Sequence, residues 1–475
     1  MEVFSALTFG KILESYIEKN NLTVSELSRR SGVTRTLIHA IINGKRRLVP
    51  ENSGKLIHPR IFPPEDLTAL YDCYLSSELT EQEVSFFHMM ISGLRGEIAD
   101  QIKNRAVAVA PIGALSNGAV LRGRENVLGA IAFAVNSGTE RLISNFAFDE
   151  DVSALIYRAY ADKKIASVCH TVRFGEEEPA RKLRFLFMAL AFAELGVKTK
   201  IDARSGGVWD HFLLTDKYFI QYDCVLSHAL VLSPEQAPQD LPERYDNSRD
   251  LTVIFKDVFD SVISNEMEQP SAGQRDFYSV SDVVSECFVT QEGVLRSLSP
   301  DVPEKERRII VQGLKNHYDI IFGPDFFKEK GANTLRCAIP DTDIVDFAEH
   351  GRIKEAPAWF FPNVPYDVRA EILKPFIERS NASISVINSE YFGPIKTNVE
   401  GNTLNLTLAG VSGGDINAPN AFKDIRVVCG DRAVIDMAMK TFQFFINSYY
   451  CMGKEESAIF IRQQLIKLEA LSAPE

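Results

Sequence analysis

Two groups of residues in this 475-residue chain have the types and spacing to do chemistry. Between Arg29 and Arg47 stand six cations (Arg29, Arg30, Arg35, Lys45, Arg46 and Arg47) with no acid among them. Such a run can neutralise backbone phosphates. A helix inside it would turn Arg35, Thr36, His39 and Ala40 toward base edges in a DNA major groove. His39 has the type to read a base or to titrate as a switch. The second group is Trp209, His211 and Asp216. They are grouped as a candidate effector cleft by a positional resemblance given below; taken alone, Trp209 suits core packing more than ligand stacking.

Other chemistry is weaker. Gly410-Val-Ser-Gly-Gly-Asp-Ile-Asn417 lacks the Lys-Ser/Thr of a nucleotide loop. Arg204-Ser-Gly-Gly207 reads first as a bare loop, with an anion cradle of backbone N–H groups as the alternative. Trp359-Phe-Phe361 suits core packing more than ligand stacking. Glu176 to Glu178 reads as a solvated helix start. The seven cysteines contain no CxxC pair, so neither a zinc ribbon nor a redox motif is expected, and no cofactor or metal. Scattered thiols in odd number, with no basic leader after Met1-Glu2, lead to the expectation of a cytoplasmic chain. The longest apolar runs, such as Phe185 to Ala193, are too short to span a membrane.

The elements that must position these residues begin with an all-helical head. Phe9, Ile12, Leu13, Tyr16 and Ile17 lie on one helical face. Thr23-Val-Ser-Glu26 predicts a capping box for a second helix, which Gly32 ends. Thr34 predicts the cap of a third, over 35–42, closed by Asn43-Gly44. Leu27, Val33, Ile38 and Ile41 would form the small core. Thr23, Asn43, Lys45, Arg46 and Arg47 flank the third helix where DNA phosphates would lie. Pro63-Pro-Glu-Asp66 and Thr80-Glu-Gln-Glu83 start two more helices, the latter running to about Arg105 as a connector and dimer seam.

The run from Leu22 to Arg46 resembles the phage-repressor-like (XRE, Cro-type) helix-turn-helix family, matching "LT…ELA…GV(S/T)…I…I.NGKR" nearly throughout. The resemblance implies that Arg35, Thr36 and Ala40 face bases and that Asn43 and Lys45 contact phosphate. Val24 stands where the family often has Gln, and Ile42 where Glu is common.

Charge agrees with that division. The net charge is −12, yet residues 1–50 carry eight cations against four acids, leaving the acidity to the rest. After residue 109, strand and helix patterns alternate, as in a covered sheet. The stretch Gly196-Val-Lys-Thr-Lys-Ile … Asp-His-Phe-Leu-Leu-Thr-Asp-Lys-Tyr-Phe-Ile is similar to the core of phospholipase-D-like domains, whose H-x-K-x4-D strand supplies a His nucleophile and a phosphate-binding Lys. Matched by position, Trp209 takes the His place, His211 the Lys place and Asp216 the Asp place. The nucleophile is missing, so a catalytically degenerate body is expected. Tyr318–Phe322 (strand), 368–378 (helix), 382–386 and 403–408 (strands) repeat the order of the first half.

The expectation is therefore an α+β multidomain chain. An all-α helix-turn-helix head and connector span 1–108. An α/β body with mixed sheets follows as halves 109–270 and 271–475, each phospholipase-D-like. Its expected role is a sequence-specific transcription regulator, a homodimer on a palindromic double-stranded operator. A small-molecule or protein effector would bind the body; no membrane is involved. The alternatives are a DNA-directed phosphodiesterase or nuclease, and an antitoxin or defence-system regulator with a protein partner.

Overall fold

The computed structural model describes residues 6–146, 149–172, 177–201, 211–255, 276–280, 289–322, 334–353, 360–378, 382–393, 395–400, 402–411 and 422–472. Trp209, Arg204–Gly207, Glu176, Trp359 and most of Gly410–Asn417 lie outside them.

Seven helices open the chain: α1 (Ala6–Lys19), α2 (Val24–Ser31), α3 (Arg35–Ile42), α4 (Pro50–Leu56), α5 (Pro64–Glu78), α6 (Glu81–Leu94) and α7 (Glu97–Asn104). Their ends follow from local chemistry. Thr23 Oγ1 accepts from the Glu26 N–H, Gly32 ends α2 in the left-handed region at φ 71°, and Thr34 caps α3. The predicted box at Thr23 is half formed, because the Glu26 carboxylate takes Arg30 one turn on rather than reaching back. At Thr80 both halves of the box form. The expected connector helix is broken where Gly96 turns left-handed at φ 78°, which separates α6 from α7. Phe86, Phe87, Met90, Ile91 and Leu94 are buried within the chain itself.

The first sheet collects β1 (Val120–Arg122), β2 (Thr139–Ser144), β3 (Ile165–Val172), β4 (Lys198–Ile201), β5 (His211–Leu214), β6 (Phe219–Tyr222), β7 (His228–Leu232) and β8 (Arg249–Asp250). Helices α8 (Arg124–Asn136), α9 (Glu150–Ala161) and α10 (Pro179–Glu194) lie between the early strands, and α11 (Leu241–Asp246) precedes β8. The second sheet collects β9 (Thr252–Phe255), β10 (Asp276–Val280), β11 (Thr334–Pro340), β12 (Ala382–Ile387), β13 (Ile395–Glu400), β14 (Thr403–Val411) and β15 (Phe422–Cys429).

The two sheets share one plan. In the first, the spatial order β4-β3-β2-β5-β6-β7 holds three parallel strands followed by antiparallel ones; in the second, β12-β11-β10-β13-β14-β15 does the same. One extended segment edges both: β8 pairs with β4, β9 pairs with β15, and Leu251 lies between. The Leu251 N–H donates to the Thr199 carbonyl and its carbonyl accepts from the Val428 N–H, each at 2.9 Å.

The Tyr318–Phe322 strand expectation is corrected. Those residues end a helix, Glu304–Phe322. An apolar run that short fits either element, and here the helical period begun after Pro303 carries through it. The helix expected at 368–378 is two, Tyr366–Leu373 and Pro375–Glu378, with Pro375 opening the second.

The apolar run Phe185–Ala193 is buried throughout. It forms the body of α10, which packs on α6 and α7 of the head and on β14 and β15 of the second sheet. A continuous apolar core therefore runs from α1 through both sheets. Polar contacts stitch the same seam: Tyr71 Oη donates to the Phe444 carbonyl at 2.8 Å, and Ser53 Oγ to the Asn447 carbonyl at 2.9 Å. The chain is α+β with mixed sheets. No helix among the described residues is long and apolar enough to cross a membrane.

Candidate functional site

A cleft of about 410 Å³ opens where α6 of the head meets the first sheet and the N-terminal ends of α9 and α10. That size suits a small organic ligand. His211, the first residue of β5, lies on its wall beside its cross-strand partner Tyr222, with ring centroids 5.8 Å apart. His211 Nδ1 lies 3.2 Å from the Asn145 carbonyl. A carbonyl only accepts, so Nδ1 carries a hydrogen in this contact. The Asn145 side chain in turn accepts from the Phe212 N–H at 2.8 Å, which holds the strand start in place.

Arginines ring the cleft: Arg105 after α7, Arg124 at the start of α8, Arg181 and Arg184 on α10. They meet a carboxylate cluster at the N-terminus of α9, where negative charge also suits the helix dipole. Asp149 caps that helix and takes Arg124 at 3.0 Å. Asp151 takes Arg105 at 2.5 Å and Arg124 at 2.6 Å, and Glu150 takes Arg105 and Arg184 at 2.5 Å each. Burial pushes the Asp151 carboxyl upward, but the two guanidinium groups outweigh it and hold it below the usual range. Met89, Phe146, Phe185 and Leu226 add apolar wall, and Ser85 joins from α6.

Behind Phe146 lies His170, fully buried and stacked on that ring at 4.0 Å. Burial lowers it from 6.5 to about 3, so it stays neutral.

Of the residues expected to line an effector cleft, His211 does. Asp216 does not: it sits in the β5–β6 turn, where its carboxylate accepts from the Glu140 N–H at 2.7 Å. The strand that puts His211 at one end puts Asp216 at the other. Tyr222, Arg105, Arg124 and Arg184 were missed. Tyr222 was within reach, since counting back from the Thr-Asp-Lys turn pairs it with His211. The arginines come from separate elements and carry no shared signal.

On the head, Arg35, Thr36 and His39 are exposed and Ala40 is half-buried, opposite the buried Ile38 and Ile41. Lys45, Arg46 and Arg47 are exposed beyond α3, and Arg47 lies 4.0 Å from Glu78. Thr23 and Asn43 spend their side chains on helix ends, Asn43 Nδ2 donating to the His39 carbonyl at 2.7 Å.

No family model matches the chain, and no curated protein matches it. Among solved structures, one neighbour is the phosphatidylserine synthase of Haemophilus influenzae Rd KW20, an enzyme, at 10% identity and a TM-score of 0.24, over 79% of this chain and 97% of that one. A likeness of this degree transfers neither activity nor substrate. The expectation of a DNA-binding transcription regulator of the XRE type, with a body that does no chemistry, finds no support in these comparisons: nothing matches among family models or curated proteins, and the neighbour's name is that of an enzyme. The physical reason is that the head motif consists largely of caps, a left-handed glycine and small core positions. Those residues are needed to fold three short helices whatever the helices touch.

Proposed function

We propose that this chain is an enzyme acting on phosphate esters, with its chemistry in the first-half cleft. The observation that carries the reading is His211, its Nδ1 held at the Asn145 carbonyl, in a cavity walled by four arginines. The corresponding first pair of the second sheet is Ile395 with Leu408, two residues without chemistry. Among the lining residues the four arginines face three carboxylates, Asp149, Glu150 and Glu178. Asp151, just behind the lining, takes Arg105 and Arg124 as well, so a phosphate ester would compete with carboxylates for these guanidinium groups.

Hydrolysis then balances simply. Water adds to phosphorus and gives its proton to His211 Nε2. The ester P–O bond breaks, and the imidazolium returns the proton to the leaving oxygen, giving an alcohol and a phosphomonoester. The guanidinium groups stabilise the charge that develops on the phosphoryl oxygens. Cys73, Cys224, Cys429 and Cys451 are thiols, not disulfides, which supports a place in the cytoplasm.

The test is turnover of bis(p-nitrophenyl) phosphate by the purified full chain, with and without chelator. Hydrolysis above the buffer rate is expected, falling by roughly 100-fold or more in His211→Ala. No turnover by the wild type, or equal turnover by the variant, overturns the reading.

A further inference from the structure

Tyr222 is 2% exposed, and its hydroxyl has no hydrogen-bond partner among the described residues. Buried hydroxyls rarely stay unbonded, because burial removes the water they would otherwise hold. The fold does not require this one. In the second sheet the residue at the same place, paired with the first residue of the fourth strand, is Leu408. Tyr74, another buried tyrosine with an unbonded hydroxyl, packs among aromatic rings of the head and does not line the cleft. Tyr222 does line it, and it stands across the strand pair from His211.

We infer that Tyr222 is a ligand-binding residue, its hydroxyl donating to a phosphoryl oxygen of the molecule that His211 acts on. The inference rests on the reading of the cleft as a phosphate-ester site. Burial, and the nearby Asp149 carboxylate, push the phenol well above its ordinary range, so it stays protonated and is always a donor. A donor fixed on a strand selects for geometry as well as charge. An anion whose oxygen reaches Tyr222 is placed with its phosphorus near His211, while one held only by the arginines at the rim is not.

Tyr222→Phe removes the hydroxyl and leaves the ring. Inorganic phosphate is the binding probe, titrated calorimetrically, and bis(p-nitrophenyl) phosphate is the kinetic one. The variant should melt at or above the wild-type temperature, bind phosphate ~10–100-fold more weakly, and raise KM more than it lowers kcat. Tyr222→Leu, which installs the residue of the second half, should fold and show the same loss. Equal phosphate affinity in wild type and Tyr222→Phe overturns the inference, even where His211→Ala has abolished turnover and the enzyme reading stands. So does a lower melting temperature in Tyr222→Phe, which makes the hydroxyl structural. Weaker phosphate binding by the variant, with no turnover by the wild type, upholds the donor and overturns the enzyme. A wild type that binds no phosphate overturns both.

Discussion

Lys182 Nζ lies 2.6 Å from Asp431 Oδ2, joining α10 of the first half to the cap of the helix Arg432–Ile446 in the second. The lysine side chain is only 8% exposed. Asp431 has a second duty, accepting from the Val434 N–H at 3.2 Å. Removing one partner strands the other charge in a largely dry seam. Lys182→Met should therefore cost about 3 kcal/mol, at the lower end for a buried pair because Asp431 keeps some water. Chemical denaturation reads it as a lower midpoint, and pairing the change with Asp431→Asn should recover part of the loss. An unchanged midpoint in Lys182→Met would show that the pair contributes nothing.

His170 gives the acid side of the stability curve a definite sign. In the folded chain it titrates at about 3, chiefly through burial, with His211 adding to the shift. In the unfolded chain it titrates near its ordinary 6.5. Below that value the unfolded state binds a proton that the folded state refuses. The stabilisation is complete above the unfolded value and is lost as pH falls toward 3, at up to about 1.4 kcal/mol per pH unit. His170→Gln should shrink the stability difference between pH 7 and pH 5 by about 2 kcal/mol. The measurement is the denaturant midpoint of both proteins at both pH values, and parallel pH dependence would refute it.

Two nearby glycines should respond differently to alanine. A Cβ on Gly93 would stand 2.0 Å from the Phe187 ring, where α6 crosses α10. Phe187 is buried, so the ring has nowhere to go, and Gly93→Ala should cost about 3 kcal/mol or more through overpacking. At Gly96 nothing lies within 4 Å, and only the left-handed backbone resists. Gly96→Ala should cost about 1–2 kcal/mol. Thermal melts of the two variants test the order, and equal losses would contradict the close approach of the helices.

Thr80 and Glu83 carry the start of α6. Glu83 also takes Lys440 from the second half, and its carboxyl is held below the usual range although burial pushes it up; the Lys440 ammonium and the Thr80 N–H prevail. Thr80→Ala should cost about 1 kcal/mol as a lost cap. Glu83→Gln should lose stability mainly above the ordinary glutamate range, where the wild-type carboxylate is charged, with the two proteins converging in acid. A constant gap at all pH values would rule out the ionic contribution.

What the sequence made legible was local. Thr34, Thr80 and Gly32 mark helix ends because caps and left-handed residues act within four residues of the chain. The β5–β6 hairpin was visible for the same reason. The break at Gly96 was missed because apolar spacing continues past it, from Leu94 to Ile98 and Ile102. The cleft was the least legible part. His211 was singled out by a positional match, but Arg105, Arg124 and Arg184 reach the cleft from the end of α7, the start of α8 and within α10. Asp216 was grouped with His211 by the positional match to H-x-K-x4-D, whereas an extended strand sets them at opposite ends.

Leu251 makes the halves a single mechanical object. Its amide hydrogen serves one ladder and its carbonyl the other, so no slack chain lies between them at this edge. A force that parts the sheets loads both hydrogen bonds through one residue, and neither can lengthen without tugging Thr199 or Val428. Leu251 thus gives the two ladders a direct backbone link, through which a displacement of one edge bears on the other.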